Sequence, residues 1–127
     1  MSFNIEIITP EKILLSENVD EVIVPSFEGE MTILKEHCNL LTFLRPGLLT
    51  IISSSSNEKF FIEEGTVEFF DNKLLILTSK VANVKSLTND KTAEMIKETS
   101  EKLNNGKFND KEKYLFSHKL ETLKLIN

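Results

Sequence analysis

Short apolar runs alternate with polar residues and turn-forming residues over most of the first 77 positions. Phe3, Ile5 and Ile7 are separated by polar residues, which is the period of two of a strand with one solvated face. Later apolar runs predict further strands at 12–15, 22–24, 31–34, 40–42, 48–52, 59–62, 67–69 and 74–77. About nine or ten short strands separated by frequent turns are typical of a β-sandwich or a β-barrel.

Three of the connections between these strands have clear turn chemistry. Arg45-Pro46-Gly47 is a tight-turn signal, because proline fixes one backbone angle and glycine frees the next. Asp71-Asn72 lies between two apolar runs and predicts a two-residue hairpin. The serine run 53–56 predicts an exposed hairpin loop.

The pattern changes after Leu87, where helix-forming residues replace the alternating ones. Thr88 or Asn89 can cap a first helix by accepting a hydrogen bond from a free backbone N–H group. The helix is expected to stop at 104–106, Asn-Asn-Gly, because these residues tolerate the left-handed backbone conformation. One stripe of this helix is formed by Thr92, Ala93, Ile96, Thr99 and Leu103.

A second helix is predicted from Asp110 to Ile126. Asn109 and Glu112 have the spacing of a capping box, and Phe116, Leu120 and Leu123 share one face. Narrow apolar stripes make such a hairpin marginally stable alone, so it should pack against the sandwich or a partner. We therefore predict a mainly β protein with an α appendage. Residues 1–86 form a β-sandwich domain, and residues 87–127 form an antiparallel two-helix hairpin.

The charge distribution supports this boundary and excludes one class of partner. The chain of 127 residues is 40% hydrophobic and 28% charged, and its net charge is −5. Residues 1–86 contain 7 basic and 13 acidic residues, whereas residues 87–127 contain 8 and 7. An acidic protein lacks the surplus of lysine and arginine that neutralises phosphates, so we expect no nucleic-acid partner.

The sequence gives no sign of a membrane-spanning segment. No apolar run approaches the roughly 18–20 residues that cross a bilayer. The N-terminus has neither a signal-peptide nor a transit-peptide pattern. A single cysteine, Cys38, excludes an internal disulfide. We expect a protein without direct membrane insertion that stays in the compartment where it is made.

Residues that could support catalysis are few. His37 and Cys38 are adjacent, and on a strand they would point to opposite faces, which is wrong for a nucleophile–base pair. His118 is the other histidine, and no metal-ligand spacing is present. Glu63-Glu64 is interpreted as part of a solvated face, and no phosphate-binding glycine loop occurs. We expect no catalytic site, no metal and no cofactor.

The stretch from 25 to 47 contains a series of short motifs, namely Glu28-Gly29-Glu30, Ile33-Leu34, His37, Leu40-Leu41-Thr42 and Pro46-Gly47. In order they form a Glu-Gly-Glu turn, a short apolar strand, a turn with a histidine, Leu-Leu-Thr and then Pro-Gly. This series resembles the epsilon subunit of F-type ATP synthases. A sandwich followed by a helical hairpin is also the architecture of that family.

The resemblance implies a non-catalytic central-stalk subunit that couples ion translocation to ATP synthesis. It implies that Glu28, Gly29 and Glu30 contact the ring of c subunits in the rotor. It implies a second contact, with the gamma subunit, through His37 and Leu40-Leu41-Thr42. The C-terminal helices would reach the catalytic alpha and beta subunits and restrain ATP hydrolysis. Such a subunit is peripheral, on the cytoplasmic side of a bacterial inner membrane.

Some bacterial members of that family bind ATP through these helices, with an Ile-Asp-x-x-Arg-Ala type motif. The corresponding stretch here is 87–92, in which Thr88, Lys91 and Thr92 stand where the motif has aspartate, arginine and alanine. Arg45 is the single arginine of the chain, so the hairpin has none. Lysine lacks the bidentate fork with which arginine holds phosphate, and we therefore expect no ATP binding.

Two other interpretations fit parts of the pattern. A stand-alone β-sandwich could bind a peptide or a carbohydrate and use its helices as a dimerisation arm. Sugar-binding surfaces usually present exposed tryptophan or tyrosine, however, and this chain has no tryptophan and one tyrosine, in a predicted helix. A small hydrolase is the third interpretation, and the shortage of nucleophiles argues against it.

Overall fold

The computed structural model describes residues 2–126, in which eight strands are followed by two helices. The strands are β1 (Phe3–Ile8), β2 (Ile13–Val19), β3 (Glu21–Ser26), β4 (Gly29–Leu34), β5 (Leu40–Leu44), β6 (Gly47–Ile52), β7 (Asn57–Phe70) and β8 (Lys73–Asn83). A 3-10 turn (Val84–Ser86) leads to α1 (Asn89–Asn105) and α2 (Asp110–Ile126). This confirms the predicted mainly β fold with a helical hairpin.

The strands form one sheet that folds over into two layers. The first part of β7, residues 57–62, pairs with β6, whereas residues 65–69 pair with β5. β8 runs antiparallel to β7 across both parts. β1 adds to β8 as a parallel neighbour and β2 adds to β1, while β3 and β4 join the other layer through β6. β7 and β8 therefore belong to both layers and connect them.

The structure has fewer strands than the sequence pattern suggests, because the predicted strands 59–62 and 67–69 are one strand, β7. Gly65 lies between them, where the register of β7 against β8 shifts. Its φ is +156°, and a Cβ atom there would collide with the carbonyl oxygen of Leu77. An irregularity of this kind lets a strand continue while it changes direction. The last predicted strand, 74–77, likewise extends to Asn83.

Alternate residues of most strands fill the space between the layers. Phe3, Ile5 and Ile7 are buried and their neighbours are half-buried, as the period of two predicts. Phe3 and Phe69 pack edge to face, with ring centres 5.6 Å apart. Most of the stability of this domain comes from burial of these aliphatic and phenyl groups.

Both helix starts are capped as the sequence predicts. The backbone N–H of Lys91 donates to the Thr88 hydroxyl oxygen at 3.2 Å. The backbone N–H of Glu112 donates to the Asn109 side-chain oxygen at 2.8 Å, and the Glu112 carboxylate accepts from the Asn109 N–H at 3.5 Å. Each cap satisfies donors that the first helical turn leaves free.

Two details of the first helix differ from expectation. Gly106 ends α1, but its φ is −99°, so its role is not a left-handed conformation. A Cβ at Gly106 would instead collide with the ring of Phe108, so the glycine provides space. On the predicted stripe, Thr92 and Thr99 are buried, whereas Ala93 is exposed.

The hairpin lies against the layer that contains β6, where α2 packs on that strand. Phe61 is buried but does not belong to the core between the layers, because it points to the opposite face from Phe60 and Ile62. Leu123 of α2 is likewise buried outside that core. A smaller apolar cluster therefore lies under the hairpin. Across residues 2–126, neither helix has the length and apolar character needed to cross a membrane.

Candidate functional site

The Glu28-Gly29-Glu30 segment lies at one end of the β3–β4 hairpin. Phe27 and Glu28 form the turn, and Gly29 and Glu30 begin β4. Both glutamate side chains are exposed. Gly29 has a φ of +142° with open space around its Cα, and its carbonyl accepts a hydrogen bond from Ser26 at 2.5 Å. The two carboxylates are thus presented on a turn whose backbone is fixed.

His37 lies at the other end of β4, in the loop that leads to β5. The Glu36 N–H donates to the side-chain oxygen of Asn72 at 2.7 Å, which joins this loop to the β7–β8 turn. Asp71 and Asn72 both have positive φ, 50° and 56°, as the predicted two-residue hairpin requires. The His37 ring stands edge-on to Phe69, with ring centres 5.9 Å apart. The two predicted contact segments therefore lie at opposite ends of the same hairpin.

His37 and Cys38 lie in a loop rather than on a strand, so the expected opposite orientation does not apply. The Cys38 Sγ is 3.8 Å from His37 Nδ1. The same Nδ1 is 2.8 Å from the Cys38 carbonyl oxygen, and a ring nitrogen that close to a carbonyl must carry the proton. It therefore acts as a donor and does not activate the thiol. Within the described part of the chain, no three His, Cys, Asp or Glu side chains are grouped as metal ligands would be.

The Leu40-Leu41-Thr42 segment begins β5 and exposes one large apolar side chain. Leu41 is 71% exposed, whereas Leu40 and Thr42 are half-buried. Phe43, two residues after Leu41 and on the same face of the strand, is 66% exposed. Neighbouring apolar groups that remain in water typically mark a contact surface. Phe43 is not among the residues that the sequence predicted for this contact, although the period of two along β5 places it beside Leu41.

An open groove of about 1070 Å³ continues this apolar face toward the helices. Phe43, Thr66, Leu77 and Ile8 form one row across four neighbouring strands and line its floor. Tyr114, at the start of α2, forms part of the opposite wall. The outer face of the sandwich is therefore apolar from β5 to β1 in this region.

A polar cluster joins α2 to the sandwich next to this groove. Arg45, in the β5–β6 turn, donates from one guanidinium nitrogen to the Tyr114 hydroxyl oxygen at 2.9 Å. The same nitrogen is 3.2 Å from Nε2 of His118. The Tyr114 hydroxyl donates to the Phe27 carbonyl at 2.6 Å, and its ring packs against those of Phe27 and His118 at 4.9 and 4.4 Å. We refer to Arg45, Tyr114 and His118 as the clasp.

The electrostatics of the clasp favour a neutral His118. Burial lowers the pKa of His118 below its ordinary value, and the positive charge of Arg45 lowers the pKa further. Glu121, whose carboxylate is 3.8 Å from Nδ1, acts in the opposite direction. No sequence signal predicts this cluster, since Arg45 is 69 and 73 residues away from its two partners.

A second contact fixes α2 further along its length. The Lys119 ammonium group forms an ion pair with the carboxylate of Glu63 on β7. Both side chains are only about one fifth exposed, 19% and 20%. The interpretation of Glu63 as a solvated carboxylate is therefore wrong, because a helix that is distant in sequence covers it. Glu64, by contrast, is exposed as expected.

Comparison with known proteins gives a consistent result. A family model described as the beta-sandwich domain of the ATP synthase delta/epsilon chain matches residues 2–84. The ATP synthase epsilon chain of Pelagibacter ubique is 44% identical over 126 residues, which is 98% of this chain and 97% of that protein. The epsilon chain of a Chelativorans species is 34% identical over 98 residues, 76% of this chain and 73% of that one.

Solved structures with the same fold come from mitochondrial ATP synthases. A chain in the OSCP/F1/c-ring structure from Euglena gracilis has a TM-score of 0.77 and 19% identity, and the match covers 97% of this chain and 78% of that chain. A chain in the central stalk/c-ring structure from Tetrahymena thermophila has a TM-score of 0.67 and 21% identity, with 97% and 92% covered. At these identities the likeness shows the shared fold.

Proposed function

The chain belongs to the epsilon-subunit family of F-type ATP synthases, and from this we propose that it joins the gamma subunit to the rotor ring of c subunits in the central stalk. In this role it performs no chemistry itself and couples ion translocation to ATP synthesis by holding shaft and ring together. The observation that carries the proposal is the near full-length similarity to an epsilon chain, 44% over 98% of the sequence. The proposed location is peripheral, on the cytoplasmic side of a bacterial inner membrane.

The exposed turn at Glu28-Gly29-Glu30 is the proposed contact with the ring. Its carboxylates are free to meet basic or amide groups, and each such exposed pair contributes about 0–1 kcal/mol. The turn would therefore orient the subunit on the ring without contributing much binding energy, and its fixed backbone suits that role. Loss of one carboxylate should not affect folding.

The proposed contact with the gamma subunit includes His37 and Leu40-Leu41-Thr42, and we add Phe43 to it. Burial of two largely exposed apolar side chains would supply the association energy, since a fully buried Leu or Phe contributes about 1.5–3 kcal/mol. The ring contact lies at the turn of the β3–β4 hairpin. The gamma contact runs from His37, at the other end of this hairpin, along β5 to Phe43, whose carbonyl accepts a hydrogen bond from the Phe27 N–H at 2.8 Å. The two proposed contacts therefore adjoin at Phe27 and Phe43.

The hairpin is proposed to reach the catalytic alpha and beta subunits and to restrain ATP hydrolysis. This requires the hairpin to leave the sandwich. The polar contacts of α2 with Arg45 and Glu63 support such movement, because water can replace their partners when the hairpin is released. A stand-alone binding module with a helical arm has no comparable support, because such a module would not be expected to be similar to an epsilon chain over nearly the whole length of both chains.

Cysteine crosslinking in the assembled enzyme tests the ring contact. Glu30→Cys, in a Cys38→Ser background that removes the exposed native thiol, should crosslink to a cysteine in a polar loop of the ring. Ser55→Cys is the matched control, because it is equally exposed but lies in the β6–β7 loop, at the other end of the sandwich. Crosslinking from position 55 but never from position 30 would refute the assignment of this turn.

A further inference from the structure

The helix α2 contacts the sandwich through packing on β6, through the Lys119–Glu63 ion pair and through the clasp. Thr122 and Leu123 are the residues of α2 that are buried in the described structure. The clasp is the contact that includes a histidine. We propose that the clasp is proton-sensitive: it holds the hairpin on the sandwich while His118 is neutral, and it loosens when His118 takes up a proton.

The geometry of the clasp requires a neutral imidazole. The Arg45 guanidinium is always a donor, so the nitrogen that faces it at 3.2 Å, Nε2 of His118, must accept. The single ring proton then lies on Nδ1, toward Glu121. A protonated His118 would direct an N–H group at another N–H group and place two positive charges side by side. The docked arrangement therefore disfavours the charged form.

The charged groups around His118 come from three elements. Arg45 approaches from the β5–β6 turn, and Glu121 comes from α2 itself. Lys119, the next residue of α2, is neutralised by Glu63 of β7. Glu121 favours protonation, but its side chain is 74% exposed, so solvent screens its charge. The balance leaves burial and Arg45 dominant, and both oppose protonation of His118 in the docked state.

The sign of the pH dependence follows from this balance. In a released hairpin His118 is solvated and has its ordinary pKa of about 6.5. In the docked hairpin its pKa is lower. Docking is therefore undiminished above about pH 6.5 and weakens as the pH falls toward the docked pKa. Each unit between the two pKa values makes release about tenfold more favourable at acidic pH.

Release of the clasp would also be felt at the β3–β4 turn. The Tyr114 hydroxyl holds the Phe27 carbonyl, one residue before Glu28. Loss of this bond removes the support that α2 gives to the turn. The inference itself does not depend on the partners proposed above, because it concerns contacts within one chain and is tested on the isolated protein.

The test measures release of the hairpin in the full chain as a function of pH. Donor and acceptor dyes are attached at Ser55→Cys and Ser117→Cys, both exposed, in a Cys38→Ser background. Urea titrations at a series of pH values give the release constant, with the circular dichroism of the strands as a check that the sandwich remains folded. We expect the release constant to rise as the pH falls below about 6.5, by up to about tenfold per unit.

His118→Gln separates the clasp from general effects of acid. The glutamine oxygen can still accept from Arg45 but does not titrate, so the release constant of this variant should not show the rise. His37→Gln is the matched control at the far end of the sandwich, and it should behave like the unmodified protein. An identical pH dependence with and without His118 would overturn the proposal. Simultaneous loss of the dye and strand signals at every pH would overturn it as well, because hairpin and sandwich would then be one cooperative unit.

A second variant keeps the test informative if His118→Gln does not dock. Arg45→Gln retains a donor but removes the charge, so the pKa of His118, followed by its ring signals in NMR, should rise toward the ordinary value. The acid-induced change in the release constant should shrink accordingly. An unchanged pKa of His118 in this variant would refute the role of Arg45 and the clasp with it.

Discussion

Single glycines determine how closely parts of this chain approach each other. At Gly65, the backbone of β8 occupies the space that a side chain would need, whereas at Gly29 no atom lies within 4 Å of an added Cβ. Both glycines have positive φ, +156° and +142°. Both positions therefore require a backbone conformation that favours glycine, but Gly29 has room for a Cβ atom and Gly65 does not.

Gly65→Ala should destabilise the protein by about 1–3 kcal/mol more than Gly29→Ala, because overpacking adds to the conformational strain at that position alone. Urea unfolding followed by circular dichroism measures the difference, with Gly29→Ala as the matched control. Equal losses in the two variants would show that β7 and β8 are not in close contact at this point.

The structural roles of several residues could be predicted from their neighbours in the sequence. Thr88 and Asn109 cap their helices, and Asp71-Asn72 forms the expected turn, because each of these signals acts over at most three or four residues of sequence. The clasp could not be predicted in this way. Arg45 is 69 residues from Tyr114 and 73 residues from His118, and only the packing of α2 on the sandwich brings them together. For Gly106, the predicted end of the helix is correct, but the predicted reason, a left-handed conformation, is wrong.

At the scale of elements, alternation identifies the strands but not their ends. The predicted strands 59–62 and 67–69 are one element because a glycine between two strand patterns can mark a bulge as well as a break. β8 continues through Lys80 to Asn83 because its C-terminal part pairs with the first part of β7. Such pairing depends on the fold of the whole sandwich.

The exposed apolar face of β5 leads to a testable prediction about the contact with the gamma subunit. Leu41→Ser with Phe43→Ser should weaken binding to the gamma subunit by at least tenfold, because two apolar side chains that would be desolvated at the interface are removed. The stability of the isolated chain should change little, since both side chains already face water. Calorimetric titration against the gamma subunit measures the affinity.

Ile13→Ser is the control for this pair, because Ile13 is an equally exposed apolar residue on β2, away from β5. It should leave the affinity unchanged. An affinity that falls equally in the control, or that does not fall in the β5 variant, would move the gamma contact to another surface.

At the scale of the whole molecule, the chain divides into a sandwich that contains all eight described strands and a hairpin that adds none. We propose that residues 1–86 fold alone, since the core cluster between the layers contains no residue of either helix. The apolar cluster under the hairpin, with Phe61 and Leu123, would then be the surface exposed by release. Phe61 would face water in that state. Binding of a partner at this surface would therefore be favourable, because it would bury the Phe61 ring again.

The hairpin should respond to its partners and to protons, but not to ATP. The side chains at the family's nucleotide motif are already engaged here: the Thr88 oxygen caps α1, and the Thr92 hydroxyl donates to the Thr88 carbonyl at 2.9 Å. Arg45, the single arginine, is held in the clasp on the sandwich side. Lys91 remains as an exposed point charge without the bidentate geometry that holds a phosphate.

Two measurements check this last prediction. Calorimetric titration of the isolated chain with Mg-ATP should show no saturable binding at millimolar concentrations or below, and saturable binding in that range would contradict the argument from the engaged threonines.

In the assembled enzyme, replacement of the full chain by residues 1–86 should raise ATP hydrolysis several-fold, because the proposed restraint is removed. Circular dichroism of the truncated chain shows first that its strands are intact. Unchanged hydrolysis with a folded sandwich would leave the hairpin as a structural element without a restraining role. The comparison at neutral and acidic pH then separates the two proposals, since the clasp predicts a pH-dependent difference between full and truncated chains, and the restraint alone does not.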